Sequence, residues 1–187
     1  MMKPWTILAL AAAAVALMSC DRKAATQEPP KPQEYSQDVV GHFCGMSLSE
    51  HPGPKGQIFV EGKKDPVWFA SVRETFAFTM LPEEPKNVAA IYVTDMGKAT
   101  NWEKPEPGTW IDAKRAYYVI GSRRQGGMGV DEAVPFGEEA QAKRFAAESG
   151  GRIVAFGAMP EDFVLQYGDA EAAAGQGGSD HQQAGKP

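Results

Sequence analysis

The chain has 187 residues, 43% of them hydrophobic, a formal net charge of −5 and only two cysteines. That length bounds it to one compact domain or two small half-domains sharing a core. The mild acidity argues against a nucleic-acid partner, which selects a basic face.

The first residues have the layout of a secretory signal: Lys3 as the positive start, an apolar run from Thr6 to Met18, and the small Ser19. The run falls short of the roughly 20 apolar residues of a membrane span. Leu17-Met18-Ser19-Cys20 resembles a bacterial lipobox, which implies cleavage after residue 19 and acylation of Cys20. More than one acyl chain gives lasting attachment. Lys3 is the only charge in residues 1–19, so the mature chain would carry −6. Asp21 after the anchor suggests retention in the inner membrane, and recovery in an outer-membrane fraction would refute that. Residues 20–37 are polar and proline-rich and read as lipid anchor plus flexible linker. No later apolar run approaches membrane length, so the body, 38–167, is expected to be soluble. Residues 168–187, with His181, are rich in Ala, Gly and Gln and read as a disordered tail.

Within the body, Gln57–Glu61 alternates like a strand, Gly62–Asp65 is a turn, and Pro66–Trp68 is a second extended stretch. Val72, Phe76 and Met80 recur with helical spacing, which predicts a helix over about 70–80, stopped by Pro82 and Pro85. Val88–Thr94 is the next strand. Thr109–Asp112 and Arg115–Ile120 read as paired strands, followed by a glycine-rich loop from Gly121 to Val130. Val134–Phe136 is short and extended, Gly137–Ser149 is a helix capped by Gly150 and Gly151, and Arg152–Phe156 is the last strand. Phe69 and Phe78 align with Phe136 and Phe145 at one offset. The fold class expected is α+β: two similar ββαβ half-domains, about 56–96 and 108–160, with mainly antiparallel sheet. Chance similarity of two amphipathic helices is the plainer alternative. Phe59, Trp68, Phe76, Tyr118 and Phe145 read as core; Met80 and Met159 read as structural.

If Cys20 is acylated, Cys44 is the one remaining thiol, in a compartment where an idle thiol invites oxidation. It is either buried and inert, a nucleophile, a redox partner or a metal ligand. In an extended chain Cys44 and Met46 would face one side, a soft sulfur pair suited to Cu(I). Met128 stands among Gly126, Gly127 and Gly129 with little chain to pack against, so it can bring a second thioether. His51, or His42, is either a further ligand, a partner that lowers the Cys44 pKa, or a surface histidine. There is no P-loop, no G-x-S-x-G elbow and no C-x-x-C. A Cys44–His pair leaves a thiol enzyme, lyase or reductase, as the alternative class. A reductase would lack its resolving cysteine. A structural lipoprotein with Cys44 buried is the third class.

The segments HFCGMSLSEHPGPKGQIF, IYVTDMG, WIDA, AYYVIGS, GGMG and the PFG that opens the second helix resemble, in order over residues 38–160, the NosL family. These are accessory lipoproteins of nitrous oxide reductase maturation. The resemblance implies a periplasmic Cu(I) chaperone and no enzyme. It would be anchored at the inner membrane and deliver copper for the copper-sulfide centre of nitrous oxide reductase, beside an ABC-type maturation complex. It implies paired ββαβ halves, similar to the organomercurial lyase fold. The family's sulfur ligand falls on Cys44 and its methionine candidates on Met46 and Met128, with His51 the further candidate.

Overall fold

The structure, a computed structural model, describes residues 28–127 and 129–165. Its elements are β1 (Gly56–Val60), β2 (Val67–Phe69), α1 (Val72–Met80), β3 (Val88–Thr94), β4 (Trp110–Asp112), β5 (Tyr117–Ile120), β6 (Val134–Phe136), α2 (Glu139–Ser149), β7 (Arg152–Ala155) and α3 (Glu161–Leu165). One sheet runs β2-β1-β3-β4 and the other β6-β5-β7, with antiparallel neighbours throughout. The expected α+β class holds.

The repeat is visible as topology. β1 lies between β2 and β3 as β5 lies between β6 and β7, and a helix links the outer pair in each half. Phe69 and Phe136 occupy equivalent places, each ending the second strand of its hairpin and each buried. The halves differ most in the hairpin loop. It covers 61–66 in the first half and 121–133 in the second, where it becomes the glycine-rich loop.

One pairing differs from expectation. β4 does not pair with β5. It pairs with β3, through Tyr92↔Asp112, Val93↔Ile111 and Thr94↔Trp110, and so joins the first sheet. The cause is local. The Asp112 carboxylate accepts from Lys114 N (2.9 Å) and caps a 3-10 turn over Ala113–Arg115. Buried Tyr118 then donates its hydroxyl to Ala113 O at 2.6 Å, holding the first residue of that turn. A helical turn separates the two strands, and the open edge of β3 takes the first of them.

The outer face of the first sheet is partly covered: all five residues of β1 are buried, and Trp68, Tyr92 and Trp110 are half-buried. Residues 30–35, expected in the flexible linker, lie across it. Gln33 and Gln57 exchange two hydrogen bonds of 2.9 Å, and Tyr92 donates to Pro30 O (2.7 Å). Glu34 accepts from Gly108 N (2.8 Å) and Trp110 Nε1 (3.2 Å). Tyr35 packs edge-on to Trp68. Trp68 is therefore covered by this strap and by Trp110 rather than sunk in the core.

On the inner face, Val72, Phe76 and Phe78 of α1 meet Ile58, Ile91 and Val93 of the first sheet and Tyr118 and Ile120 of the second, in one core shared by both halves. Met159 is buried in it and Met80 packs at its edge. A smaller cluster under α2 holds Val134, Phe136 and Ala142, with Phe145 half-buried against it. Ser71 caps α1, its Oγ accepting from Glu74 N at 3.1 Å, an interaction typically worth about 1 kcal/mol. The chain leaves α1 at Leu81, before Pro82. α2 ends at Gly150, whose φ of 79° is a conformation glycine adopts freely.

Candidate metal centre

Cys44 sits in a tight loop closed by backbone pairing. Gly41 N donates to Met46 O (2.9 Å), Leu48 N to Val39 O (3.0 Å) and Gly45 N to Gly41 O (2.8 Å). His42 N donates to Trp68 O (2.8 Å) and ties the loop to β2. The segment is a turn rather than the extended chain assumed above, and Gly45 has a φ of 66°. A strand-like alternation therefore does not orient Cys44 and Met46. They flank a left-handed glycine at the loop tip instead. The thiol folds back over Gly41, where a Cβ would stand 2.6 Å from Sγ. Met46 is 42% exposed and Cys44 half-buried.

A second loop comes to meet this one. Gln125↔Asp131 pairing and the bonds Gly126 N to Val130 O (2.8 Å) and Gly129 N to Gly126 O (3.0 Å) close the glycine-rich loop into a turn. Arg124 is stacked over Trp102 (4.9 Å). The glycines serve close approach. A Cβ on Gly127 would stand 2.6 Å from His51 Cβ, and one on Gly126 would stand 2.7 Å from Glu132 Oε2. Val130 and Cys44 line one open, mostly apolar cleft of about 530 Å³, together with Glu74, Ala77 and Leu81. Met128 and Cys20 lie outside the described residues. The immediate neighbours of Met128, Gly127 and Gly129, belong to the turn seated on His51.

The two histidines separate by their partners. His42 Nε2 contacts Glu84 Oε1 at 2.9 Å, and its ring packs on Phe43 and Phe78. His51 Nδ1 lies 3.2 Å from Gly127 O. A carbonyl only accepts, so Nδ1 is the donor in this bond. The other ring nitrogen, Nε2, is buried with no hydrogen-bond partner. An imidazole held through one nitrogen with the other free is the arrangement found in metal-binding histidines. Of the two, His51 fits a ligand role and His42 a packing and ion-pairing role.

Buried charges surround the loops. Glu132 Oε1 accepts from Val72 N and Arg73 N (both 3.1 Å) and Ala133 N (2.9 Å), capping α1 from the other half. Its Oε2 has no partner. Burial pushes this carboxyl up to about 8, against the opposing pull of those amides and of Lys55. Lys55, 1% exposed, gives Nζ to Gly53 O (2.6 Å) and Pro52 O (3.3 Å) and so braces the His51 loop. Burial draws its amine down to about 8. Burial also raises Glu74, opposed by the amides of Ser71 and Ala70 and by His51 and His42. Gly41, Glu74 and Glu132 were not singled out in the sequence. Ser71-Val72-Arg73-Glu74 fits the S-x-x-E pattern of a helix start and could have flagged Glu74. Nothing local marks Glu132 as the cap of a helix some 60 residues earlier.

The candidate donors are a half-buried thiol, an exposed thioether and an imidazole nitrogen with no hydrogen-bond partner. No group of three or more His, Cys, Asp or Glu suited to a metal ion occurs among the described residues. Sulfur-rich sites with one nitrogen suit soft ions. Cys44 is half-buried and lines the cleft.

A family model described as NosL matches residues 32–164. The chain is 43% identical over 157 residues to the copper-binding lipoprotein NosL of Achromobacter cycloclastes, covering 83% of this chain and 81% of that protein. It is 39% identical over 171 residues to the copper-binding lipoprotein NosL of Stutzerimonas stutzeri, covering 91% and 85%. The crystal structure of the copper chaperone NosL from Shewanella denitrificans aligns with a TM-score of 0.67 at 32% identity, over 71% of this chain and 98% of that one. With sequence and fold agreeing over most of its length, the chain belongs to the NosL family.

Proposed function

We propose that this protein is a Cu(I) carrier, anchored through a lipid on Cys20 to the periplasmic side of the inner membrane. It hands copper to the assembly of the copper-sulfide centre of nitrous oxide reductase, next to a membrane ABC-type maturation complex. The observation that carries the copper reading is the meeting of three segments. The Cys44 loop and Val130 of the glycine-rich turn line one open cleft, and the same turn packs on His51 through Gly127. The relatives named above as copper-binding lipoproteins and a copper chaperone support it. The client and the maturation complex follow from the family resemblance.

Cys44 binds Cu(I) as thiolate and releases its proton on binding. Met46 and Met128 add weak thioether bonds, and His51 Nε2 completes or exchanges with them. A soft ion with few ligands at an open rim can be taken up by an acceptor's sulfur or nitrogen before the last protein bond breaks. The copper is cargo, and no bond of an organic substrate is made or broken. A Cys44 thiol enzyme would need a positioned base on the thiol, and the His42 Nε2 is engaged with Glu84 instead.

Chelator competition tests this. Cys44→Ser should lose at least about a hundredfold in Cu(I) affinity, His51→Ala and Met46→Ala about tenfold each, a step of roughly 1.4 kcal/mol. Wild-type-like affinity in Cys44→Ser would end the reading.

A further inference from the structure

The cleft at Cys44 has walls of one chemistry and a single group of another. Phe43, Ala77, Leu81 and Leu165 make it apolar, and among the described residues no basic one lines it. Glu74 is the charged residue on its lining, 6% exposed, and its Oε2 has no hydrogen-bond partner. Lys55, the amine that feels Glu74, is committed elsewhere: it holds the carbonyls of Pro52 and Gly53. A buried carboxylate lacking one partner costs stability that its surroundings do not return. The rim beside it is apolar and open to solvent: Val40, Phe43 and Met46 are each more than 40% exposed and lie on the Cys44 loop. Exposed apolar side chains grouped around a deep cleft are the mark of a binding surface.

We infer that this cleft receives a long basic side chain, lysine or arginine, from a partner protein docked on the Cys44 loop. Such a side chain matches the cleft in both parts. Its methylene stem lies along the apolar walls, and its cation meets Glu74. The charge complementarity fixes the register of the partner and sets its copper-accepting atom beside Cys44 and Met46. The inference rests on the carrier reading only for the identity of what passes between the two proteins.

The test uses the apo-protein and two blocked pentapeptides, acetyl-Gly-Leu-Lys-Leu-Gly-amide and its norleucine counterpart. Alkylation of Cys44 by iodoacetamide is followed by mass spectrometry of the Cys44 fragment, with the methyl NMR signals of Ala77 and Leu81 read in parallel. The lysine peptide is expected to slow alkylation several-fold at saturation and to shift both methyls. The norleucine peptide should bind about fivefold more weakly, the value of a charge pair of roughly 1 kcal/mol. Glu74→Gln should erase that preference, and the two-peptide comparison on the wild type stands even if the variant folds poorly. Equal binding of the two peptides overturns the inference. So does no effect of either peptide on a freely reactive Cys44. Slow alkylation that no peptide changes also overturns it, since the cleft is then filled by the chain's own residues beyond Leu165. Chelator competition on the same wild-type sample reports the carrier reading separately. Peptide binding without copper binding keeps the cleft and removes the carrier, and the converse does the reverse.

Discussion

A methyl group on residue 41 would stand 2.6 Å from the Cys44 sulfur. Real Cβ contacts do not come so close, so the thiol would have to turn away. Gly41 is therefore a positioning residue, and Gly41→Ala should weaken Cu(I) binding about tenfold while the circular dichroism spectrum stays that of the wild type. Unchanged affinity would show that the ion does not use the observed thiol orientation. At this scale the sequence was partly legible. Cys44 stood out because a second thiol was missing, and Met128 because its neighbours were glycines. The soft-donor reading loses its geometric premise of an extended chain, because Gly45 turns the backbone with a φ of 66°. The choice between His42 and His51 was beyond the sequence. It depends on Glu84 and Gly127, residues 42 and 76 positions away.

The element that distinguishes the halves is the hairpin loop of the second. Duplication gives each half the same three strands and one helix, and the longer loop gives the second half a turn that reaches the first. In the sequence its glycines mark a loop with little chain for Met128 to pack against. The structure assigns two of them to close packing, Gly127 on His51 and Gly126 on Glu132. Gly127→Ala should thus push the turn off His51 and cost roughly 1–3 kcal/mol by overpacking, read as a lower denaturant midpoint together with weaker Cu(I) binding. A variant with full stability and affinity would mean that the turn is free to withdraw. Strand and helix positions were legible from periodicity. The partner of β4 was not, because a 3-10 turn of three residues decides it and carries no hydrophobic pattern.

Across the whole molecule, Glu132 joins the halves. It caps α1 from the far side of the core, and burial raises its carboxyl from the ordinary 4.5 to about 8. The folded state then holds a proton that the unfolded state releases. Its contribution to stability is complete below about pH 4.5 and declines as the pH rises toward 8. Lys55 and Glu74 face it, and Lys55, lowered to about 8, acts in the opposite sense above that pH. Glu132→Gln keeps an oxygen for the α1 amides and removes the titration. Urea melts between pH 5 and 8 should show a falling midpoint in the wild type and a flatter one in the variant. Parallel slopes would place the proton elsewhere. The α+β class and the doubled unit were legible in the sequence because hydrophobic spacing repeats. The strap over the first sheet was not, because Gln33, Glu34 and Pro30 act through hydrogen bonds that composition does not reveal.

That strap bears on reach. With a lipid on Cys20, as proposed, ten peptide steps separate the anchor from Pro30, where the sheet takes hold of the chain. At some 3.5 Å each they span at most about 35 Å. That length would confine the Cys44 loop to a shell roughly one domain deep over the bilayer, and a client would then have to come to the membrane surface to be loaded.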